Sequence, residues 1–326
     1  MARRNAFLGP QWIIVFTFFL SGIFLGGLGG YLYFAGSLSL GAKIHPAGGH
    51  SYNYINPLLA VDLYTEPGLS YNKALEQKTI GLIAAAKSAG KVTSVSVYFR
   101  DIEPGFWFGI DDYRQFSPGK SLKIPIMISY FKLAQSNPDV LKENFVFTGP
   151  VTSRPFFPVR EPLVVGQEYS VDELIRRMIV DYSDDAANLL FQNIDNKSLN
   201  EVYSDLGINF QEYDQNTPDF ITLKQYGLFF RILYNATYLN REYSEKALSI
   251  LVQAPEDVGL SADIPKELPI ANRYGVRSPN VNEYELYDCS MIYYPQHPYL
   301  LCGIFRGNNE PELNNFAKEL DRKSVV

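Results

Sequence analysis

The 326-residue sequence predicts an α/β fold of the α+β kind: an antiparallel sheet flanked by helices, with an all-helical subdomain inserted in its middle. Three observations predict it. A β-branched segment with strand-like alternation follows a first amphipathic helix. A block of helices with N-terminal capping signals occupies the middle. Two apolar strands around a proline-bounded turn, then one more helix, close the chain.

From Tyr71 to Ala89, Leu75, Ile80, Leu82, Ile83 and Ala86 recur at helical spacing, and Gly90 ends the run. Val92 to Phe99 then reads as a strand, and Phe106 to Ile110 as its partner across a Pro-Gly turn. A second helix is expected from about Lys120. In the middle, Ser170 with Glu173 and Thr222 with Gln225 both have capping-box spacing ahead of apolar periodic runs. Another helix starts near Ser183 and carries Ala186, Ala187, Leu189 and Leu190. Glu285 to Tyr294 and Tyr299 to Phe305 form the terminal hairpin, and Pro311 to Asp321 the last helix.

Ahead of this domain lies a different kind of sequence. Arg3 and Arg4 precede an apolar run from Trp12 to Phe34 that contains no charge. A helix needs about 20 such residues to cross the hydrocarbon core, and a cleaved signal peptide has a shorter apolar region. The expected organisation is therefore a cytoplasmic N-terminus (1–11), a transmembrane anchor (12–34), a linker (35–70) and the domain (71–326). The arginines before the span place the domain on the extracytoplasmic side of a single-pass cell-membrane protein.

Composition narrows the function classes. A formal net charge of −6 gives no footprint for nucleic acid. The three histidines (His45, His50, His297) and two cysteines form no cluster with metal-ligand spacing, so neither metal nor other cofactor is expected. Cys289 and Cys302 fall on the two strands of the terminal hairpin. Outside the cytoplasm they could form a disulfide; otherwise they are two small buried hydrophobes.

Three segments carry a resemblance. Phe116-Ser117-Pro118-Gly119-Lys120-Ser121-Leu122-Lys123-Ile124-Pro125 resembles the Ser-x-x-Lys segment of the class A β-lactamase and penicillin-binding serine-hydrolase family. Tyr182-Ser183-Asp184-Asp185-Ala186-Ala187-Asn188 resembles its Ser-Asp-Asn segment, and Arg273-Tyr274-Gly275 stands where the family has Lys-Thr-Gly. The resemblance covers roughly Tyr71 to Asp321 and implies a class A β-lactamase-like fold. In the family, the serine attacks a carbonyl and the lysine one turn later helps take its proton. Anchored on Phe116 and Lys-Ile-Pro, the lysine falls on Lys123 and the nucleophile position on Lys120. The Ser-Asp-Asn serine falls on Ser183, and its asparagine on Asp185. Lys-Thr-Gly becomes Arg273, Tyr274 and Gly275.

Loss of a catalytic nucleophile costs about a millionfold in a serine protease. The resemblance thus implies a non-catalytic homologue that binds a carboxylate-bearing ligand, a peptide or a piece of peptidoglycan, through Arg273, Tyr274 and Gly275. The alternative is a serine hydrolase with a remodelled site using Ser117, Ser121 or Ser183. Ser117 also reads as a helix N-cap with Pro118 at the first helical position, and Ser121 should rotate about 100° away from the family position. Glu201 and Glu212 are the glutamates available as a base for deacylating water, and neither sits in a recognisable version of the family's loop. The paired changes at Lys120 and Asp185 predict an ion pair of Asp185 with Lys120, Lys123 or both, within about 4 Å.

Overall fold

The computed structural model describes residues 52–56, 70–102, 106–117, 123–150, 159–209, 219–254, 258–295 and 297–324. A short strand β1 (Ser70–Tyr71) leads into α1 (Lys73–Ser88), whose N-cap Asn72 accepts from the Leu75 N–H. Strands β2 (Ser94–Asp101) and β3 (Phe106–Ile110) form the first hairpin, and a two-residue β4 (Gln115–Phe116) precedes α2 (Lys123–Ser136). After the small pair β5 (Asn144–Val146) and β6 (Glu168–Ser170) come α3 (Val171–Val180), α4 (Asp184–Asn193) and α5 (Asn196–Asp205). Strand β7 (Ile221–Thr222) pairs with β4 and opens α6 (Leu223–Tyr234), followed by α7 (Arg241–Val252). The chain then returns to the sheet as β8 (Ile270–Asn280), β9 (Glu283–Ile292) and β10 (Tyr299–Gly307), and α8 (Glu310–Ser324) packs last.

The main sheet has the order β1-β3-β2-β10-β9-β8. It is antiparallel except at its edge, where β1 runs parallel to β3. Residues alternate between its two faces, and each face closes a separate core. One packs Val97, Phe99, Leu286 and Phe305 against α1 and α8. The other packs Tyr98, Tyr287, Met291 and Leu300 against the helical subdomain. The expected order of strands, helices, then strands and a helix is therefore present, with a helical insertion between β4 and β8.

Local chemistry accounts for several boundaries. Thr222 and Gln225 make the full reciprocal capping box at α6. Ser170 caps α3 through its hydroxyl, which accepts from the Glu173 N–H. The Glu173 carboxylate is engaged in an ion pair with Arg177, 2.8 Å away. Helix α2 is buried on every side from Lys123 to Phe131, which is why its sequence shows little amphipathic pattern. Two helices lay outside the sequence expectation: α5, capped by Asp195, and α7, capped by Asn240.

The cysteine question is settled by register. Cys289 on β9 and Cys302 on β10 are directly paired, their Cα atoms are 4.0 Å apart, and they are joined as a disulfide. The apolar run at 12–34 lies outside the described residues, and no helix among the described residues is long and apolar enough to cross a membrane. Part of the stretch expected as linker, residues 52–56, belongs with the domain: the Asn56 N–H donates to the Tyr234 carbonyl and Ile55 is buried.

Candidate active site

The site is built where α2, the turn between α3 and α4, and strand β8 meet. Lys123 sits in the first turn of α2 with its side chain only 2% exposed. Its Nζ donates to the Tyr182 carbonyl at 3.0 Å and lies 3.0 Å from Asp184 Oδ1. A buried ammonium needs such partners, because an unpaired charge in this environment is costly.

The turn that supplies both partners has a special backbone. Tyr182 is held at φ 55°, in the left-handed region that a residue with a Cβ rarely adopts. The Ser183 N–H donates to the Arg177 carbonyl at 3.1 Å, closing the end of α3. Its buried hydroxyl accepts from the Ala186 N–H at 3.1 Å, which makes Ser183 the N-cap of α4. Asp184 is then the first helical residue, and it is this carboxylate that meets Lys123. The expectation from sequence was an ion pair of Asp185 with Lys120, Lys123 or both; Asp185 sits one helical position on, about 100° around the axis, and is engaged as well. The other half of that expectation, a contact with Lys120, lies outside the described residues, as does Ser121.

Strand β8 brings the second cation. Arg273 is 2% exposed, and its guanidinium stacks on the Tyr182 ring with 4.7 Å between charge centre and ring centroid. Its Nε and Nη1 have no hydrogen-bond partner among the described residues. Burial pushes the Tyr182 phenol up to about 12, against an opposing pull from Arg273, so it carries its proton at neutral pH.

The neighbours of Arg273 fix its strand. Asn272 points to the opposite face, where its amide donates to Asp288 Oδ1 at 3.0 Å and to Ser290 Oγ at 2.9 Å, tying β8 to β9. Burial raises Asp288 to about 7 even though the Leu260 N–H, Ser290 and Asn272 donate to it. Tyr274 also faces away from Arg273, donating its hydroxyl to Asn314 Oδ1 on α8 at 2.9 Å. Gly275 returns to the face of Arg273, and a Cβ there would collide with the Tyr287 phenol on the paired strand.

Of the residues singled out from sequence, Lys123 and Arg273 thus converge on one turn. Ser183 lies within that turn but spends its hydroxyl on the cap, and Tyr274 contributes to the other core. Ser117 is buried directly after β4. Glu201 is on α5, 3.8 Å from Lys197 in an exposed pair, and Glu212 lies outside the described residues. Tyr182 and Asp184 are the residues that sequence reasoning missed. The signal for them was Ser183 itself, whose capping preference sets which acid becomes the first helical residue.

Among the described residues, no group of histidines, cysteines and carboxylates could hold a metal ion. The arrangement sets two buried cations on one turn, Lys123 paired with Asp184 and Arg273 stacked on the Tyr182 ring.

A search of curated protein sequences finds no match to this chain. Among solved structures, the fold is similar to a beta-lactamase from Sphaerobacter thermophilus, with a TM-score of 0.66 at 17% identity over 76% of this chain and 95% of that one. It is similar also to PBP-A (TM-score 0.67, 16% identity, 79% and 97% covered). A beta-lactamase from Xanthomonas campestris aligns at TM-score 0.65 and 17% identity over 77% of this chain and 97% of that one. The model of the beta-lactamase enzyme family matches residues 75–323, most of the length of the chain, and the chain belongs to that family.

Proposed function

We propose that this protein is a non-catalytic member of the beta-lactamase family: a membrane-anchored, extracytoplasmic domain whose Arg273 receives the carboxylate of a peptide or cell-wall ligand. The observation that carries the reading is the guanidinium of Arg273, buried with two nitrogens unsatisfied. An unsatisfied buried donor costs about 1–3 kcal/mol, and more when charged, so a bound anion would recover what the free protein forgoes. The absence of a serine at Lys120 supports the non-catalytic half of the proposal. So does the change of the family asparagine to an aspartate at Asp185.

The test is equilibrium titration of the full chain with an N-acetylated dipeptide carrying a free C-terminal carboxylate, and with its C-terminal amide. The acid should bind more tightly than the amide. Arg273→Leu should weaken binding of the acid by roughly tenfold to a hundredfold, the worth of a charge-assisted hydrogen bond. Equal affinity for acid and amide would refute the ligand class. One similar structure is an acyl-enzyme complex of PBP-A with penicillin G. This chain should form no such adduct by intact-mass measurement, and penicilloylation of the unmodified protein would refute the non-catalytic reading.

Anchoring rests on the uncharged run 12–34 behind Arg3 and Arg4. The disulfide supports the same placement, since such bridges persist in oxidising compartments. Protease added to intact spheroplasts should remove the domain. Full protection of the domain would overturn the placement.

A further inference from the structure

We propose that Glu245 is the pin of a clamp that fixes the point where the chain enters the domain, independently of the Arg273 site. Its carboxylate gathers three consecutive backbone donors. The Asn53 N–H lies 2.7 Å from Oε1, the Tyr54 N–H 3.2 Å from Oε1 and 3.0 Å from Oε2, and the Ile55 N–H 3.0 Å from Oε2. Consecutive amides converging on one anion form the concave nest that backbone uses to hold negative charge. In this case the anion is a helix side chain, and the nest belongs to the incoming strap.

The strap also touches two other elements. The Asn56 N–H donates to the Tyr234 carbonyl at the end of α6, at 2.8 Å. Tyr54 meets Tyr293 edge to face, with ring centroids 5.6 Å apart, and Tyr293 in turn lies 6.2 Å from Tyr234. Tyr293 directly follows β9, and its N–H donates to the Pro269 carbonyl just ahead of β8. Five residues therefore join α6, α7 and the end of the sheet. Ile55 is the only apolar anchor among them that is fully buried, so the hold depends on the charge-assisted bonds to Glu245.

The consequence concerns the point of entry: while the clamp holds, the amides of residues 53–55 stay on α7, and its opening frees all three from Glu245.

Hydrogen exchange on the full chain tests this. In Glu245→Ala, exchange at the amides of residues 53–55 should rise by roughly tenfold or more, because local opening no longer breaks bonds to a charged acceptor. Chymotryptic cutting at Tyr52 and Tyr54 should rise in parallel. Amides of β9 and β10 should stay as protected as in the wild type. Glu245→Gln, which keeps an acceptor oxygen without the charge, should fall between the two. Unchanged exchange at 53–55 in both variants would overturn the proposal. So would equal loss of protection in β9 and β10, which would make Glu245 a general support of the fold.

Discussion

Asp184→Ala should destabilise the domain by about 3 kcal/mol, the low end of the range for breaking a buried ion pair from one side. The low end applies because Asp184 is 14% exposed, and water screens part of its interaction with Lys123. The loss arises from Lys123, whose ammonium would stay buried without the Asp184 carboxylate 3.0 Å away. For a domain of this size the melting temperature should fall by roughly 10 °C. Removing both charges is a different experiment. Lys123→Met with Asp184→Leu replaces the pair by apolar groups of similar volume, which is often close to neutral. The double variant should therefore be markedly more stable than Asp184→Ala. If the single variant lies within 1 kcal/mol of the wild type, the pair is not what holds Lys123 in place.

That pair also shows where sequence was and was not sufficient. The element order was legible because its signals are local: a cap at Ser170, a capping box at Thr222, alternation along β2, and two apolar strands around Pro295. Helices α5 and α7 have cap signals of the same kind in Asp195 and Asn240. The site was only half legible. Lys123 and Arg273 follow from motif positions, but Ser183-Asp184-Asp185 contains two adjacent acids, and spelling alone does not single out Asp184 as the partner of Lys123. The choice is made by the helix start: Ser183 commits its hydroxyl to the cap, so Asp184 faces α2. The unsatisfied state of Arg273 was invisible for another reason. Whether a guanidinium finds partners depends on elements far apart in the chain, here β8 and the turn carrying Tyr182. The strap at 52–56 was hidden in the same way, because its acceptor, Glu245, is about 190 residues away.

Reduction of the Cys289–Cys302 disulfide should lower the unfolding free energy by about 3 kcal/mol, the loop-closure value for cysteines 13 residues apart. Both side chains are fully buried in the row that runs across β8, β9, β10 and β2 through Arg273, Cys289, Cys302 and Tyr98. A thiolate reductant must reach a sulfur to attack it, so the native protein should resist dithiothreitol until denaturant opens the sheet. Urea unfolding of the same chain, oxidised and then refolded in reductant, isolates the bridge without altering side-chain volume. Cys289→Ala with Cys302→Ala should be less stable still, because it adds two small voids in a packed face. Thiol titration in denaturant without reductant should find no free cysteine. Two titratable thiols, or coincident urea midpoints for the oxidised and reduced chains, would refute the bridge or its contribution. The bridge lies beside Arg273 in that row, so reduction should also loosen the strand that carries the unsatisfied guanidinium. Hydrogen exchange along β8 should therefore quicken on reduction, and strand β3, next to the far edge strand β1, should respond least.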